Sequence, residues 1–374
     1  MNADWYPLSD APPFPAAGYA ALADDLADIL GTRNDVLLIQ AEAVVALEAV
    51  AQSLAQSPTQ SPGRPGIRAL NIVTSLYGRW FGGWLRRAGA EVVDLMAALP
   101  GQPVTAAEVE QALSGGRFDL VAVVHAESAY GILNPLPEIA ALVRAHGALL
   151  VVDAVASVGG HALAVDDLGV DVAVIGPQKS LGGQAGVSAL SISDRAWGRV
   201  APAGEAPSIL SLADQRDQWL KTGRGMLPGT PSALEFHALA QTLRRVKAEG
   251  IAALQDRHHH AATAARAGAR ALTGRAWVAP DQASNLVTAA ALPDGLTAAQ
   301  VLAAAAPGHA LSAGVGPGGE GLIRLNHTGA RASLPVVLGD LAVLGRALAA
   351  AGYRADVGAA LVAAERAANA DRSA

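Results

Sequence analysis

Residues 149–193 have the sequence LLVVDAVASVGGHALAVDDLGVDVAVIGPQKSLGGQAGVSALSIS. Two apolar runs, residues 148–152 and 171–175, are rich in Val, Leu and Ile and are bounded by glycines and turn residues, which predicts two buried strands. Asp153 follows the first run and Lys179 follows the second. Because ligands bind outside the carboxyl ends of the strands in an open α/β sheet, we expect the acid and the amine to face a common site.

Lysine is rare in this sequence, which draws attention to Lys179. Only three of the 27 lysine and arginine residues are lysines. An arginine stays charged in proteins, whereas a desolvated lysine amine can lose its proton and attack a carbonyl carbon. In pyridoxal enzymes a lysine amine binds the aldehyde and an acid keeps the pyridine nitrogen protonated, and Lys179 and Asp153 match these two roles. From spacing alone the alternative stays open: Lys179 is a solvated loop residue and Asp153 caps the next segment.

The order of predicted elements divides the chain into three parts. Residues 1–20 are Pro-rich and predict an irregular arm, and residues 21–240 alternate strands and helices in a pattern that favours a mostly parallel sheet. Residues 241–374 change to long Ala-rich helices with a few short strands, which predicts a smaller α+β domain. The predicted fold class is therefore α/β, with a large domain and a small C-terminal domain.

Composition excludes several classes of function. The 374 residues include no cysteine, which excludes disulfides, thiolate metal sites and a cysteine nucleophile. The net charge of −6 and the scattered arginines give no nucleic-acid footprint, and no apolar run predicts a membrane span. The N-terminus lacks the pattern of a secretory signal, so we expect a cytoplasmic protein. The histidines at 258–260 point in different directions on a helix and predict no metal site.

Two motifs resemble the signature of the class V aminotransferases, a family of fold type I pyridoxal phosphate enzymes. They are VDAVASVGG, residues 152–160, and GPQKSLGG, residues 176–183, and Lys179 lies 26 residues after Asp153 as in that family. The resemblance covers nearly the whole chain from about residue 36. It implies a mostly parallel seven-stranded sheet, Asp153 beside the coenzyme ring, and a Schiff base at Lys179, whose amine then carries a proton between the reacting carbons.

The turn that holds the coenzyme phosphate in this family departs from the family pattern here. It normally carries small residues and a hydroxyl or a histidine, whereas this chain has AEAV at residues 41–44. A carboxylate facing a phosphate dianion is repulsive by several kcal/mol at an effective dielectric constant of about 20. Glu42 resembles a glutamate of the pyridoxamine-pyruvate aminotransferases, the branch that takes unphosphorylated pyridoxamine as a substrate. In the alternative, Glu42 turns outward or pairs with an arginine while other groups hold the phosphate.

The resemblance assigns four further side chains to the ring. Tyr77, just past a predicted strand, and Val155 would sandwich it. Ser128, in the segment HAESAYGILNPL, and Gln178 would bond to its polar edges. Tyr130 replaces a smaller family residue in the same segment, so the substrate side of the pocket is not defined by the resemblance.

Two later segments resemble family motifs that reach the partner subunit and the substrate. GTPSALEFHAL matches the segment whose threonine contacts the coenzyme of the neighbouring subunit, so Thr230 implies a homodimer, with a tetramer as the larger assembly. GLIRLNHTG contains Arg324, whose guanidinium suits a two-point clamp on the carboxylate of a 2-oxo or 2-amino acid; a surface ion pair is the alternative. The pyridoxamine-pyruvate branch has a second arginine nine positions earlier, where this chain has Val315.

These residues lead to three functional hypotheses. The first is transfer of an amino group from pyridoxamine or a small amino acid to a 2-oxo acid, with pyruvate and alanine as the expected pair. Its cofactor is pyridoxal 5′-phosphate, or the unphosphorylated pyridoxal or pyridoxamine ring is itself the substrate. The second is an alanine- or serine-glyoxylate/pyruvate aminotransferase with bound pyridoxal phosphate. The third is a non-catalytic pyridoxal-binding relative, against which the intact Lys179, Asp153 and Arg324 argue.

Overall fold

The computed structural model describes residues 11–55, 66–99, 101–275, 277–306 and 310–371. The described strands form sheets of seven, three and two strands. In chain order they are β1 (Asp35–Ile39), β2 (Arg68–Val73), β3 (Glu91–Met96), β4 (Leu120–Val124), β5 (Ala126–Glu127), β6 (Ile132–Leu133), β7 (Leu149–Asp153), β8 (Val172–Ile175), β9 (Ser188–Ile192), β10 (Val287–Ala291), β11 (Leu311–Ala313) and β12 (Leu322–Asn326).

The described helices cover both faces of the large sheet and one side of the small sheet. In chain order they are α1 (Ala16–Leu30), α2 (Ala43–Ala55), α3 (Leu76–Arg87), α4 (Ala106–Ser114), α5 (Leu136–His146), α6 (Val165–Leu168), α7 (Asp194–Trp197), α8 (Leu212–Gln218), α9 (Ala233–Glu249), α10 (Ile251–Thr273), α11 (Ala298–Ala304), α12 (Leu334–Ala350) and α13 (Val357–Asp371). Short 3₁₀ turns lie at Leu220–Thr222, Pro280–Gln282, Gly319–Gly321 and Gly329–Arg331. Among the helices described here, none has the length and apolar composition to cross a bilayer.

The seven-stranded sheet is mostly parallel, as predicted. Its spatial order is β1, β9, β8, β7, β4, β2, β3, and only β9 runs antiparallel to its neighbours. Every residue of β4 and β8 is buried, because helices cover both faces of the sheet. This double burial explains why these strands are continuous apolar runs in the sequence.

The carboxyl ends of β2, β4, β7 and β8 meet at one edge of this sheet. Asp153 is the last residue of β7 and lies in register with Val124 of β4 and Val174 of β8. The helices α2 and α3 begin a few residues beyond the ends of β1 and β2. The edge therefore combines an acid, helix N-termini and the segment that carries Lys179.

The three-stranded sheet has the order β10, β12, β11, with both pairs antiparallel. Ile323 of β12 packs in one cluster with Ala265 of α10, Leu341 of α12 and Ala364 of α13. The small alanine side chains let the long helices approach this sheet closely. The C-terminal part of the chain thus has a hydrophobic core of its own.

Two expected boundaries coincide with helices. The predicted arm, residues 1–20, overlaps α1, which begins at Ala16, so the irregular segment is shorter than expected. Residues 1–10 of that arm lie outside the described residues. The expected division after residue 240 falls inside α9, and the chain changes direction at Gly250, which has φ +86° and separates α9 from α10.

Candidate active site

Lys179 and Asp153 share one electrostatic environment. Asp153 Oδ1 accepts a hydrogen bond from the Val155 N–H at 3.0 Å. Burial raises the pKa of Asp153 to about 6, and the Val155 N–H and Lys179 oppose that rise. Burial and then Arg324 lower the pKa of Lys179, whereas Asp153 and Glu42 raise it. The site therefore contains an amine that loses its proton more readily than a surface lysine, beside an acid.

A tight glycine turn after Lys179 fixes the lysine backbone. The Gly182 N–H donates to the Lys179 carbonyl at 3.0 Å, and the Gly183 N–H donates to the Pro177 carbonyl at 2.7 Å. Gly182 has φ +72°, a conformation that favours glycine. A Cβ at Gly329 would lie 2.9 Å from the Gly182 Cα, so the segment after β12 packs directly on the lysine turn.

Tyr77 and Ser128 are brought together from two different elements. Ser75 caps α3, because its side chain accepts a hydrogen bond from the Tyr77 N–H at 3.2 Å. This cap sets the first turn of α3, where Tyr77 lies. Burial raises the pKa of Tyr77, and the nearby Ser128 side chain opposes that rise. Ser128 directly follows β5, which forms a hairpin with β6.

Glu42 lies at the N-terminus of α2 and contacts Gln178, the neighbour of Lys179. Its Oε2 accepts a hydrogen bond from the Val44 N–H at 2.9 Å, and its Oε1 accepts one from Gln178 Nε2 at 2.8 Å. Glu42 also acts on the pKa of both Lys179 and Asp153, so its charge lies within reach of the site. These contacts are those of a carboxylate that faces the lysine turn.

Arg324 joins the small sheet to the hairpin of the large-sheet region. It lies on β12, opposite Ala289 of β10 and Ser312 of β11. Its Nε donates to the Ala313 carbonyl at 2.7 Å and its Nη1 donates to the Ser128 carbonyl at 2.8 Å. These two bonds fix the plane of the guanidinium, and among the described residues no hydrogen bond uses Nη2, which can donate to a ligand.

Three further residues singled out in the sequence differ in their exposure and contacts. Thr230 is exposed, and within the described residues it makes no hydrogen bond to another site residue of the same chain. Tyr130 is buried, and its hydroxyl donates to the Pro317 carbonyl at 3.0 Å, which connects the hairpin to the loop before β12. Val315 lies in that loop and is 36% exposed.

Of the three histidines at 258–260 on α10, His258 is the one that packs in the interior. His258 is buried, its Nδ1 lies 2.8 Å from the Leu254 carbonyl, and its Nε2 accepts a hydrogen bond from the Gly329 N–H at 3.0 Å. Within the part of the chain that the structure describes, no group of acids and histidines could hold a metal ion.

Glu127 is a site residue that the sequence analysis missed. Its side chain is 0% exposed, and its Oε1 accepts a hydrogen bond from the Thr74 hydroxyl at 3.3 Å. Burial, reinforced by Asp153, raises the pKa of Glu127 to about 8. Glu127 lies one residue before Ser128 in HAESAYG, so the motif pointed to this position, but the sequence does not reveal that the acid is buried.

The residues present fit a pyridine ring that carries an aldehyde or an aminomethyl group. Asp153 offers an acid for the ring nitrogen and Lys179 offers an amine at the next strand end. Gln178 Oε1 is buried and, among the described residues, has no hydrogen-bond partner, so it can accept a bond from a bound group. Tyr77 adds an aromatic face next to Ser128.

The family profile described as aminotransferase class V matches residues 17–314. The chain belongs to this family. Over 345 residues it is 32% identical to the pyridoxamine-pyruvate transaminase of Mesorhizobium japonicum, covering 91% of this chain and 85% of that relative. The solved structure of the pyridoxamine-pyruvate aminotransferase of Mesorhizobium loti is 31% identical, with a TM-score of 0.85 over 95% of this chain and 90% of that one.

A second group of class V relatives also matches. The alanine-glyoxylate aminotransferase of Callithrix jacchus is 31% identical over 273 residues, which cover 71% of this chain and 64% of that relative. The predictions of the family, of fold type I and of a transaminase are therefore confirmed. The cofactor prediction, pyridoxal 5′-phosphate or the unphosphorylated ring as a substrate, is confirmed as well, since class V aminotransferases of fold type I use pyridoxal 5′-phosphate and the first relative is named for pyridoxamine.

Proposed function

We propose that this aminotransferase transfers an amino group from pyridoxamine to pyruvate, giving pyridoxal and alanine. The observation that carries the proposal is the position of Glu42. A helix N-terminus presents free N–H groups and a partial positive charge to an anion, and in this chain the Glu42 carboxylate itself occupies the N-terminus of α2. The relatives named for pyridoxamine and pyruvate support the same assignment.

The charge of Glu42 distinguishes the two forms of the ring. A phosphate dianion at this turn would be repelled by the carboxylate, whereas the hydroxymethyl group of unphosphorylated pyridoxamine can donate a hydrogen bond to it. The 2.8 Å bond from Gln178 holds the carboxylate toward the lysine turn. We therefore infer that Glu42 selects the unphosphorylated ring.

The remaining assigned residues act on the ring and on its protons. The bound ring supplies an electron sink for the carbon that loses its proton. Lys179 takes that proton as a general base and returns it at the other reacting carbon. Asp153 keeps the ring nitrogen protonated, and the Val155 N–H orients the Asp153 carboxylate at 3.0 Å. Tyr77 and Val155 enclose the two ring faces.

The polar edge of the ring and the acid substrate are held by three side chains. Ser128 and Gln178 bond to the polar edges of the ring. Arg324 binds the carboxylate of the 2-oxo acid through Nη2, the guanidinium nitrogen that makes neither of the two backbone bonds. Because both bonds are to main-chain carbonyls, the orientation of the guanidinium does not depend on the rotamer of another side chain.

The substrate assignment predicts the ring preference of the wild-type protein and of Glu42→Gln. In an absorbance titration of the dialysed protein, wild type binds pyridoxal more tightly than pyridoxal phosphate. Glu42→Gln keeps an acceptor for the Val44 N–H but removes the charge, so its affinity for pyridoxal phosphate rises by about tenfold or more. Glu48→Gln, on the same helix, is the matched control and leaves the preference unchanged.

The opposite titration result would favour the second hypothesis. If wild type binds only the phosphorylated ring tightly, the protein is an alanine- or serine-glyoxylate/pyruvate aminotransferase whose phosphate site uses other residues. The relative named alanine-glyoxylate aminotransferase supports that alternative. If both rings bind but no amine and oxo-acid pair turns over, the third hypothesis, a non-catalytic relative, gains support.

A homodimer is part of this proposal, with Thr230 reaching the coenzyme of the partner subunit. Thr230 is exposed in the single chain, as a residue that reaches a partner subunit must be. A tetramer of two such dimers is the larger alternative. The division into a large domain and a small domain near Gly250, and a cytoplasmic location, also belong to the proposal.

Mixing two inactive variants tests the shared site. Lys179→Ala and Thr230→Arg are each expected to lack activity, whereas a mixture that exchanges subunits regains part of it. In the mixed dimer, the Thr230→Arg subunit contributes Lys179 to a site that the other subunit completes with an intact Thr230. If two differently tagged variants co-purify as mixed dimers and the mixture stays inactive, Thr230 does not contribute across the interface.

A further inference from the structure

Glu127 connects the two segments that carry Tyr77 and Ser128. Its buried carboxyl group accepts a hydrogen bond from the Thr74 hydroxyl at 3.3 Å, and the nearby Ser75 side chain opposes the rise in the pKa of Glu127 that burial causes. Ser75 in turn accepts the Tyr77 N–H at the start of α3, and Glu127 directly precedes Ser128 in the hairpin. One buried acid therefore joins the β2–α3 junction to the β5–β6 hairpin.

A further partner orients the Thr74 hydroxyl group toward Glu127. The Thr74 hydroxyl oxygen accepts a hydrogen bond from Asn134 Nδ2 at 3.0 Å, so its own hydrogen is left for Glu127. The Thr74 hydroxyl thus acts as a donor, and the acid must act as its acceptor.

The other carboxyl oxygen indicates the protonation state. Glu127 Oε2 is buried and has no hydrogen-bond partner within the described part of the chain. An ionised acid would leave charge on an unsolvated oxygen, whereas a protonated acid places a neutral O–H there, at a lower desolvation cost. Asp153 shares the site, and it has the Val155 N–H and Lys179 to stabilise a charge. Two acids in such unequal surroundings have different pKa values, so one can be charged while the other is still neutral.

We propose that Glu127 is a positioning residue that functions only as the neutral acid. The neutral acid holds α3 against the hairpin and so fixes Tyr77 and Ser128 around the ring. Its neutrality also leaves Asp153 as the charged acid of the site. The inference rests on the proposed function only in taking Tyr77 and Ser128 as ring contacts.

The groups that act on Glu127 from neighbouring elements are all negative when ionised. They are Asp153 from β7, Tyr77 from α3 and Tyr130 from the hairpin turn. Burial, followed by Asp153, raises the pKa of Glu127 to about 8. Above that pH a second negative charge forms beside Asp153, and the acid no longer offers a proton at Oε2.

Thermal unfolding of the ring-free protein tests the neutral acid without relying on activity. The variant Glu127→Gln keeps an acceptor for the Thr74 hydroxyl but cannot ionise. As the pH rises from 4.5 to about 8, the unfolded wild-type chain loses the Glu127 proton while the folded state keeps it, so wild type loses stability relative to the variant. The melting-temperature gap between variant and wild type therefore widens across this range and stays constant above it.

Controls separate this effect from a general loss of charge. Glu110→Gln removes an exposed acid on α4. The difference in melting temperature between this variant and wild type is expected not to change with pH. If the difference in melting temperature between Glu127→Gln and wild type is also independent of pH, the assignment of Glu127 as a neutral acid is overturned. Because no coenzyme is present, that result would leave the proposed aminotransferase function unaffected.

Binding of pyridoxal tests the positioning role. If binding needs the neutral acid, one pH unit above the pKa of Glu127 the wild-type Kd for pyridoxal rises by about tenfold relative to Glu127→Gln. Below pH 7 the two proteins bind pyridoxal equally, because the conservative variant retains the hydrogen-bond acceptor, whereas Glu127→Ala binds it less tightly. Equal pH profiles for wild type and Glu127→Gln would contradict the positioning role.

Discussion

Lys179→Ala is expected to lower turnover by about a thousandfold or more and to remove the visible absorbance of the bound ring. Lys179 supplies the only assigned amine at the carboxyl edge of the sheet, and burial lowers its pKa toward the neutral form. Alanine removes both the attachment point and the general base. Single-turnover absorbance changes with pyridoxamine and pyruvate measure the loss.

Lys221→Ala is the matched control for this substitution. Lys221 is 60% exposed and pairs with Asp217 four residues earlier on the surface, at 2.8 Å. An exposed pair of this kind contributes little to stability, so wild-type turnover is expected. Turnover of Lys179→Ala within tenfold of wild type would show that another group carries the proton.

The positions of Asp153 and Lys179 could be predicted because the responsible signals are local. Both strands are buried on two faces, so they are continuous apolar runs; Asp153 ends the first and Lys179 lies in the turn after the second. The family resemblance then added roles to residues whose spacing alone left an alternative open. Parallel pairing of β7 with β8 brings the two strand ends together as expected.

Contacts between distant segments could not be predicted in the same way. The bond from Gln178 to Glu42 joins residues 136 positions apart, and the bond from Arg324 to the Ser128 carbonyl joins residues 196 positions apart. No local sequence pattern predicts either bond, because each depends on the strand order that brings distant segments of the chain together. The burial of Glu127 is of the same kind, since it results from packing of the hairpin against the β2–α3 junction.

The N-terminal segment shows a limit of composition as a signal. Prolines between residues 7 and 15 favoured an irregular arm through residue 20, but proline is well tolerated just before a helix, and α1 begins directly after Pro15. The alanines and leucines that follow have high helix propensity. Helix formation therefore begins earlier than the proline content suggested.

Asp153→Asn is expected to lower kcat by roughly a hundredfold to a thousandfold, because it removes a charge that stabilises the reacting ring. Asparagine has the same size and its oxygen can still accept the Val155 N–H, so the geometry of the strand end is retained. It cannot carry the negative charge that keeps a ring nitrogen protonated. Stopped-flow absorbance under single-turnover conditions measures the chemical step, and a rate within threefold of wild type would contradict the role of Asp153.

The same substitution should stabilise the ring-free protein. The pKa of Asp153 is raised by burial from 3.8 to about 6, so the folded state holds this proton more tightly than the unfolded chain. Between these pH values the wild-type protein loses stability as the pH rises, and above pH 6 the full cost of the buried charge is present. Asp153→Asn removes that cost, so at neutral pH it should melt at a higher temperature than wild type. A lower melting temperature of Asp153→Asn would show that the charge stabilises the empty site. The expected higher melting temperature means that the folded protein retains a destabilising charge at Asp153 because the bound ring requires it.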